Sequence, residues 1–281
     1  MNHLSGISRI APAAAGAALA LVAAPATAET VPWDEMRVLI EINATDGDAG
    51  FHALVDGDAW KEVTLNGSKL FNAVAKGPLR ETLGLTEIFF ESDEPPCDAS
   101  VADDPEDVVT LREILEAFPA GTYTFSGKTI EPGDQLLGST ELTHAIPAAP
   151  DISAFDESED VDPNDAVISW AAGSDIGECP FEALVNDGII PDPATVPLAF
   201  WEVVVEPEDE EGLPGPLRVW SAQVPSGTTS IQVSPEYLNA YAGEGVTEFK
   251  FEVGAVEART INGTVTKGNQ TFSEGTFELD D

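Results

Sequence analysis

Hydrophobic and polar positions alternate most cleanly between Val246 and Ala258, where Phe249, Phe251, Val253 and Ala255 fall on one side and Lys250 and Glu252 on the other. A period of two is that of a half-buried antiparallel strand. Ala166 to Trp170 alternates in the same way and ends in a tryptophan large enough to fill a sandwich core. Near the start of the chain, Val38, Ile40 and Ile42 share one face of a strand over 37–43. A turn over Thr45 to Gly50 returns the chain as a strand over 51–55. A second turn at Asp56, Gly57 and Asp58 leads through Trp60 into Val63 to Leu65, and a third follows at Asn66 and Gly67. Three short strands with Gly-containing turns predict a meander feeding a sandwich.

One stretch has helical spacing. Leu111, Ile114, Leu115 and Phe118 recur at i, i+3, i+4 and i+7, Thr110 and Glu113 form a capping box, and Pro119 and Gly121 end the helix. Ile88 to Phe90 is a further strand, and Tyr123 to Phe125, a turn at Pro132 and Gly133, and Leu136 to His144 form a hairpin that closes a first domain over 29–144. Residues 145–150 hold two prolines and predict a stiff, extended linker. Behind it, strands are expected over 151–155, 166–170, 200–206, 217–223, 229–233, 247–257 and 270–279, in a second domain over 151–281. The fold class is therefore all-β: two tandem β-sandwiches, the first with one short helix.

The second half resembles a fibronectin type III domain. Trp170 matches the core tryptophan at the end of that domain's second strand, and Phe249, Val253 and Ala255 match the Tyr-x-x-x-Val-x-Ala of its sixth. Phe249 departs from the pattern, because it lacks the hydroxyl that makes the hydrogen bond of a tyrosine corner. The first half is similar to the leading domain of exported bacterial proteins that carry such a domain behind it. The resemblance implies an immunoglobulin-like scaffold and names no ligand. In that topology the long connection from Ala171 to Pro197 lies at the pole where the linker enters, facing the first domain. Cys179 on that connection and Cys97 in the acidic loop over 91–107 then either pair across the joint or remain two free thiols.

Composition narrows the function. Fifty-one acidic residues against twelve Lys and Arg give a formal charge of −39, which repels phosphate and argues against nucleic acid and against anionic membranes. Residues 1–28 read as a signal peptide: Arg9, an apolar run from Ala11 to Ala24, and small residues at Ala26 and Ala28. That run is too short to span a bilayer, so the mature chain is expected to be secreted, in the periplasm or outside the cell, with no membrane insertion. The sequons at Asn43, Asn66, Asn262 and Asn269 are then accidental, because the leader is of bacterial type.

Candidate chemistry is sparse. Behind the leader stand only His52 and His144, there is no Gly-x-Ser-x-Gly elbow, and there is no phosphate loop or dinucleotide fingerprint. His52 alternates opposite Phe51 and Ala53 and reads as a surface-facing structural histidine. Two separated histidines make a poor hydrolytic zinc site. Asn43, Asp46, Asp48, Asp56 and Asp58 place five oxygen-bearing side chains around two turns, which suits calcium as cofactor or plain turn chemistry. Trp60 and Trp220 are the aromatic candidates for ligand contact, whereas Trp201 alternates with Val203 and Val205 as core. The expectation is a secreted, non-catalytic binding, adhesion or structural protein whose partner is an extracellular protein or polysaccharide. A calcium-supported carbohydrate-binding module is the alternative, and a carboxylate-dependent glycoside hydrolase stands behind both.

Overall fold

The computed structural model describes residues 29–67, 71–76, 84–130, 134–153, 160–208, 213, 215–261 and 264–280. The signal peptide over 1–28, the turn at Pro132 and Gly133, Phe155 and the sequon at Asn262 lie outside the described residues. In chain order the strands and helices are β1 (Thr30–Val31), β2 (Glu35–Asn43), β3 (Asp48–Asn66), β4 (Asn72–Lys76), β5 (Leu85–Glu91), α1 (Leu111–Ala117), β6 (Gly121–Thr129), β7 (Gln135–Leu142), β8 (Pro150–Asp151), β9 (Val167–Ser169), β10 (Ala171–Ala172), α2 (Glu182–Asn186), β11 (Leu198–Pro207), β12 (Trp220–Pro225), β13 (Ser230–Gln232), α3 (Pro235–Ala242), β14 (Glu248–Ile261) and β15 (Thr264–Glu278). The fold is all-β and sandwich-like, as the alternation predicts.

The strands of both halves join in one eleven-stranded sheet. Its path runs β1-β7-β6-β3-β2-β15-β14-β11-β12, with β4 and β5 also paired to β3. β3 makes this possible. Its first part, Asp48 to Asp56, pairs with β2 and β5, and its last part, Trp60 to Asn66, pairs with β4 and β6. The sheet thereby folds over on itself, and its two layers enclose a core of Val38, Ile40, Ile42, Phe51, Val55, Trp60, Tyr123, Phe125 and Leu136. A second core lies under β11 and β14, where Trp201, Val203, Val205, Phe249, Phe251 and Val253 meet Ile168, Trp170 and Val233 of the β9 and β13 segments and Leu238 and Tyr241 of α3.

The expected turn at Asp56, Gly57 and Asp58 is not a turn. β3 runs straight through it, with Glu35 opposite Asp56 and Asp34 N–H donating to the Asp56 carbonyl at 2.9 Å. Gly57 serves packing instead: a Cβ there would come within 2.9 Å of the Trp33 ring. A glycine that admits an indole against the backbone looks, in sequence, the same as one that reverses the chain.

Residues 145–150 are no exposed strap. Ile146, Ala148 and Ala149 are buried beneath the seam where β15 pairs in parallel with β2. Ser273 Oγ donates to the Pro150 carbonyl at 2.7 Å, and Ala149 N–H donates to the Asp175 carbonyl at 2.8 Å. The connection after β10 turns back onto the first core, as the pole topology predicts, and places Ile176, Cys179, Leu184 and Ile190 within it. It also contains α2 and a single 3-10 turn at Pro193–Thr195, so it is not a structureless loop. Cys97 and Cys179 are joined in a disulfide with Cα atoms 5.1 Å apart, both buried. Closing 82 residues restricts the unfolded chain by about 4–5 kcal/mol on the loop-entropy model. A buried disulfide fits an oxidising compartment, and among the described residues no helix is long and apolar enough to cross a membrane.

Candidate functional site

The five oxygen-bearing residues proposed for calcium do not converge. Asn43, Asp46 and Asp48 surround the turn between β2 and β3, where the Asn43 Oδ1 accepts from the backbone N–H groups of Thr45 and Asp46 and its Nδ2 donates to Asp46 at 3.1 Å. Asp56 and Asp58 lie eight and ten residues beyond Asp48 along a continuous strand, roughly 25–35 Å of chain away at the usual rise. Asn43 and Asp46 are turn chemistry, and Asp48 opens β3. Trp60 is not a surface platform either: it is fully buried, in edge-to-face contact with Trp33 at 6.1 Å. Trp220 is half-buried on the outermost strand and packs against the second core. Trp201 is core as expected, its indole N–H donating to the Ser226 carbonyl at 3.0 Å. Asn43 and Asn269 are buried, which leaves their sequons no room for a glycan.

What does converge lies on the outer face of the sheet, at β2 and β3. Cross-strand pairing sets Leu39 opposite His52 and Glu41 opposite Gly50, so Glu41 and His52 are diagonal neighbours on one face. After β5 the chain continues along β3 as an irregular strand: Ser92 N–H donates to the Phe51 carbonyl, Phe51 N–H to Ser92 Oγ, and Cys97 N–H to the Gly47 carbonyl. This segment brings Glu94 across the sheet. Its Oε1 lies 2.8 Å from His52 Nε2, while Glu41 Oε1 lies 3.7 Å from Nδ1. Gly50 makes the approach possible, because a Cβ there would come within 2.7 Å of Glu94 Cγ. Phe89 closes one side of the imidazole edge-on at 5.4 Å.

His52 is thus not an exposed histidine on a strand; it is 7% exposed, enclosed by two glutamates and a phenylalanine. Alternation gave its face correctly, but the covering segment over 92–97 has no periodicity from which to read it. Burial pushes the Glu41 carboxyl up to about 7, with His52 opposing the rise and Glu94, Glu252 and Glu91 adding to it. Burial works against the His52 imidazolium, but the Glu94 hydrogen bond and the charges of Glu41, Glu94 and Glu91 outweigh it and hold its pKa above the ordinary value. Asp48 is also raised, to about 6, by burial first and then by Glu94, Asp46 and Glu274. One ligand atom from each of Glu41, His52 and Glu94 can be chosen so that all lie within 4.8 Å of one another, the compactness that a divalent ion requires.

The segment carrying Glu94 also forms one wall of a groove of about 720 Å³, whose other wall is α1. Asp93, Glu94, Glu106 and Asp107 line its rim, and Ala49, Ile114 and Phe118 contribute apolar floor. The wall formed by α1 is well defined, since Thr110 and Glu113 make the full capping box. The opposite wall is anchored through Cys97 to Cys179. His144 is not part of the cluster; its Nε2 lies 3.0 Å from the carbonyl of Phe118, and its pKa is lowered by burial, partly offset by that contact. A scan of the chain against protein-family models finds no match, and a search of curated proteins finds none.

Proposed function

We propose that the protein is exported and non-catalytic, and that it binds a partner protein outside the cytoplasm through the groove between α1 and the segment over 92–96. The observation that carries this reading is the groove itself: its volume is within the range of ligand sites, it joins an apolar floor to a carboxylate rim, and both walls are fixed before any ligand arrives. The chemistry selects a segment of the partner that presents Lys or Arg beside an apolar side chain. A formal charge of −39 would steer such a partner toward the surface at low salt.

The pairing order supports a fibronectin type III-like back half: β12-β11-β14-β15 on one side, and β8 with β10 and β9 with β13 on the other. Such a scaffold displays surfaces rather than reactive groups. The neighbours found for the two histidines fit a non-catalytic role, His52 being engaged by carboxylates and His144 contacting a carbonyl. The sugar-reading alternative loses support, since the aromatic platforms proposed for it are a buried Trp60 and a half-buried Trp220.

The reading is tested by titrating the mature protein with a panel of short peptides carrying Lys or Arg beside Leu or Phe, and with their Glu-substituted counterparts. Binding of the basic peptides alone, weakened about tenfold or more between 50 and 200 mM salt and again in E106Q/D107N, is expected. Equal binding of basic and acidic peptides, or indifference to E106Q/D107N, refutes the groove as the site.

A further inference from the structure

We propose that Glu41, His52 and Glu94 form a binding site for one divalent transition-metal ion, with zinc preferred over calcium. The site stands on its own geometry and does not rest on the groove's taking a basic partner.

Three features of that geometry point to an ion rather than to a plain ion triad. First, one imidazole does not serve both carboxylates: Glu94 is within hydrogen-bond distance of Nε2 at 2.8 Å, but Glu41 is 3.7 Å from Nδ1. Among the described residues no hydrogen bond reaches the Glu41 carboxylate, although its side chain is only 22% exposed. A metal ion, unlike a proton, accepts three donors at once. Second, the cations of neighbouring strands are engaged elsewhere: Lys250 by Glu252 at 3.1 Å and Glu274 at 3.0 Å, and Arg37, on the same face of β2, by Glu35 at 3.9 Å. Among the described residues the ion pairs of Glu41 and Glu94 are with His52. Third, the donors are held in advance. Two come from paired strands, and the third sits on a segment tied to β3 by Ser92 and Cys97, over a glycine whose missing side chain leaves it room.

The donor set decides the metal. Calcium takes six to eight oxygens, and this cluster supplies one nitrogen and two carboxylates. An imidazole with two carboxylates suits zinc, which completes its shell with water. His52 is enclosed, while Glu41 and Glu94 are 22% and 32% exposed, so an ion reaches the site from the carboxylate side. Binding displaces the proton shared between His52 Nε2 and Glu94.

The test uses the mature chain after dialysis against chelator. Zinc is added, excess is removed by gel filtration, and retained metal is counted; a parallel titration with Co²⁺ follows visible d–d absorption. One zinc per chain is expected, with affinity reduced at least about tenfold in E94Q and in H52Q. D56N/D58N, in the middle of β3 and outside the cluster, should bind as the parent does, and calcium at the same concentration should not displace the zinc. Glu94 lies outside the regular strands, so E94Q keeps the test decisive even where H52Q fails to fold. Retention of no zinc, equal retention by E94Q, or displacement by equimolar calcium overturns the assignment. None of these outcomes bears on peptide binding by the groove, which is measured separately.

Discussion

At the scale of single residues, the most consequential group is Glu41. With a carboxyl pushed up to about 7 from an ordinary value of 4.5, the folded chain binds a proton that the unfolded chain releases. Its contribution is complete below about pH 4.5 and is lost as pH rises through about 7. His52, raised above its ordinary value, acts with the same sign. Facing them are Glu94, Glu91 and Glu252. Chelated protein is therefore expected to lose stability between pH 5 and pH 8, on the order of 2 kcal/mol from Glu41. E41Q should flatten that slope and raise stability at pH 8. Urea melts across the range measure it, and parallel slopes for parent and E41Q would dismiss Glu41 as the cause.

At the scale of elements, α3 packs two tyrosines against β14. Phe249 has no hydroxyl, but Tyr237 and Tyr241 meet its ring edge-on at 6.1 and 5.7 Å and carry two hydroxyls to the start of β12. Tyr241 Oη accepts from the Arg218 N–H at 2.8 Å and donates to the Arg218 carbonyl at 3.0 Å, while the guanidinium lies 4.3 Å above its ring. Y241F should keep the packing and the stacked arginine, and lose about 1–2 kcal/mol through the Arg218 N–H left without its acceptor, the carbonyl keeping Tyr237 at 3.0 Å. A midpoint in denaturant equal to the parent's would show that water takes the N–H at no cost. Elements such as β2, β11, β14 and α1 were legible because their periodicity is local and strict. α3 was signalled only by Ser234 capping Tyr237 and by Pro235 at its first turn, within a stretch too short for a clear period. The continuity of β3 through Asp56 and Gly57 was hidden because the residues that favour a turn also admit Trp33. The site was least legible of all. Its three donors come from two strands and an irregular segment, and no spacing along the chain encodes that Gly50 makes way for Glu94.

At the scale of the whole molecule, the apolar cores meet across a polar joint. Glu257 and Arg259 continue the inward face of β14 beyond Ala255, and both are 4% exposed. Arg259 donates to the Val38 carbonyl at 2.9 Å, to the Glu141 carbonyl, and to Glu257 at 3.3 Å. Glu257 in turn accepts from Thr143 Oγ1 at 2.8 Å and from Asn269 N–H at 2.8 Å. Asn269 extends the parallel pairing of β15 with β2, its Oδ1 accepting from the Ile40 N–H at 2.9 Å and its Nδ2 donating to the Thr143 carbonyl at 3.0 Å. Side chains of the back half thus complete the backbone hydrogen bonding of the front half, so one half cannot open without exposing groups of the other. The parent protein should unfold in a single calorimetric transition, with van't Hoff and calorimetric enthalpies equal. R259M strands the Glu257 carboxylate in the joint and should cost about 3–5 kcal/mol, separating the two cores into two transitions. E257Q/R259M removes both charges and should recover most of that loss, because a buried pair gains little over neutral side chains that fill its space. Were R259M to melt as the parent does, in one transition at the same temperature, the coupling would have to reside in the β15 and β2 ladder and the Cys97 to Cys179 bridge rather than in the charged joint.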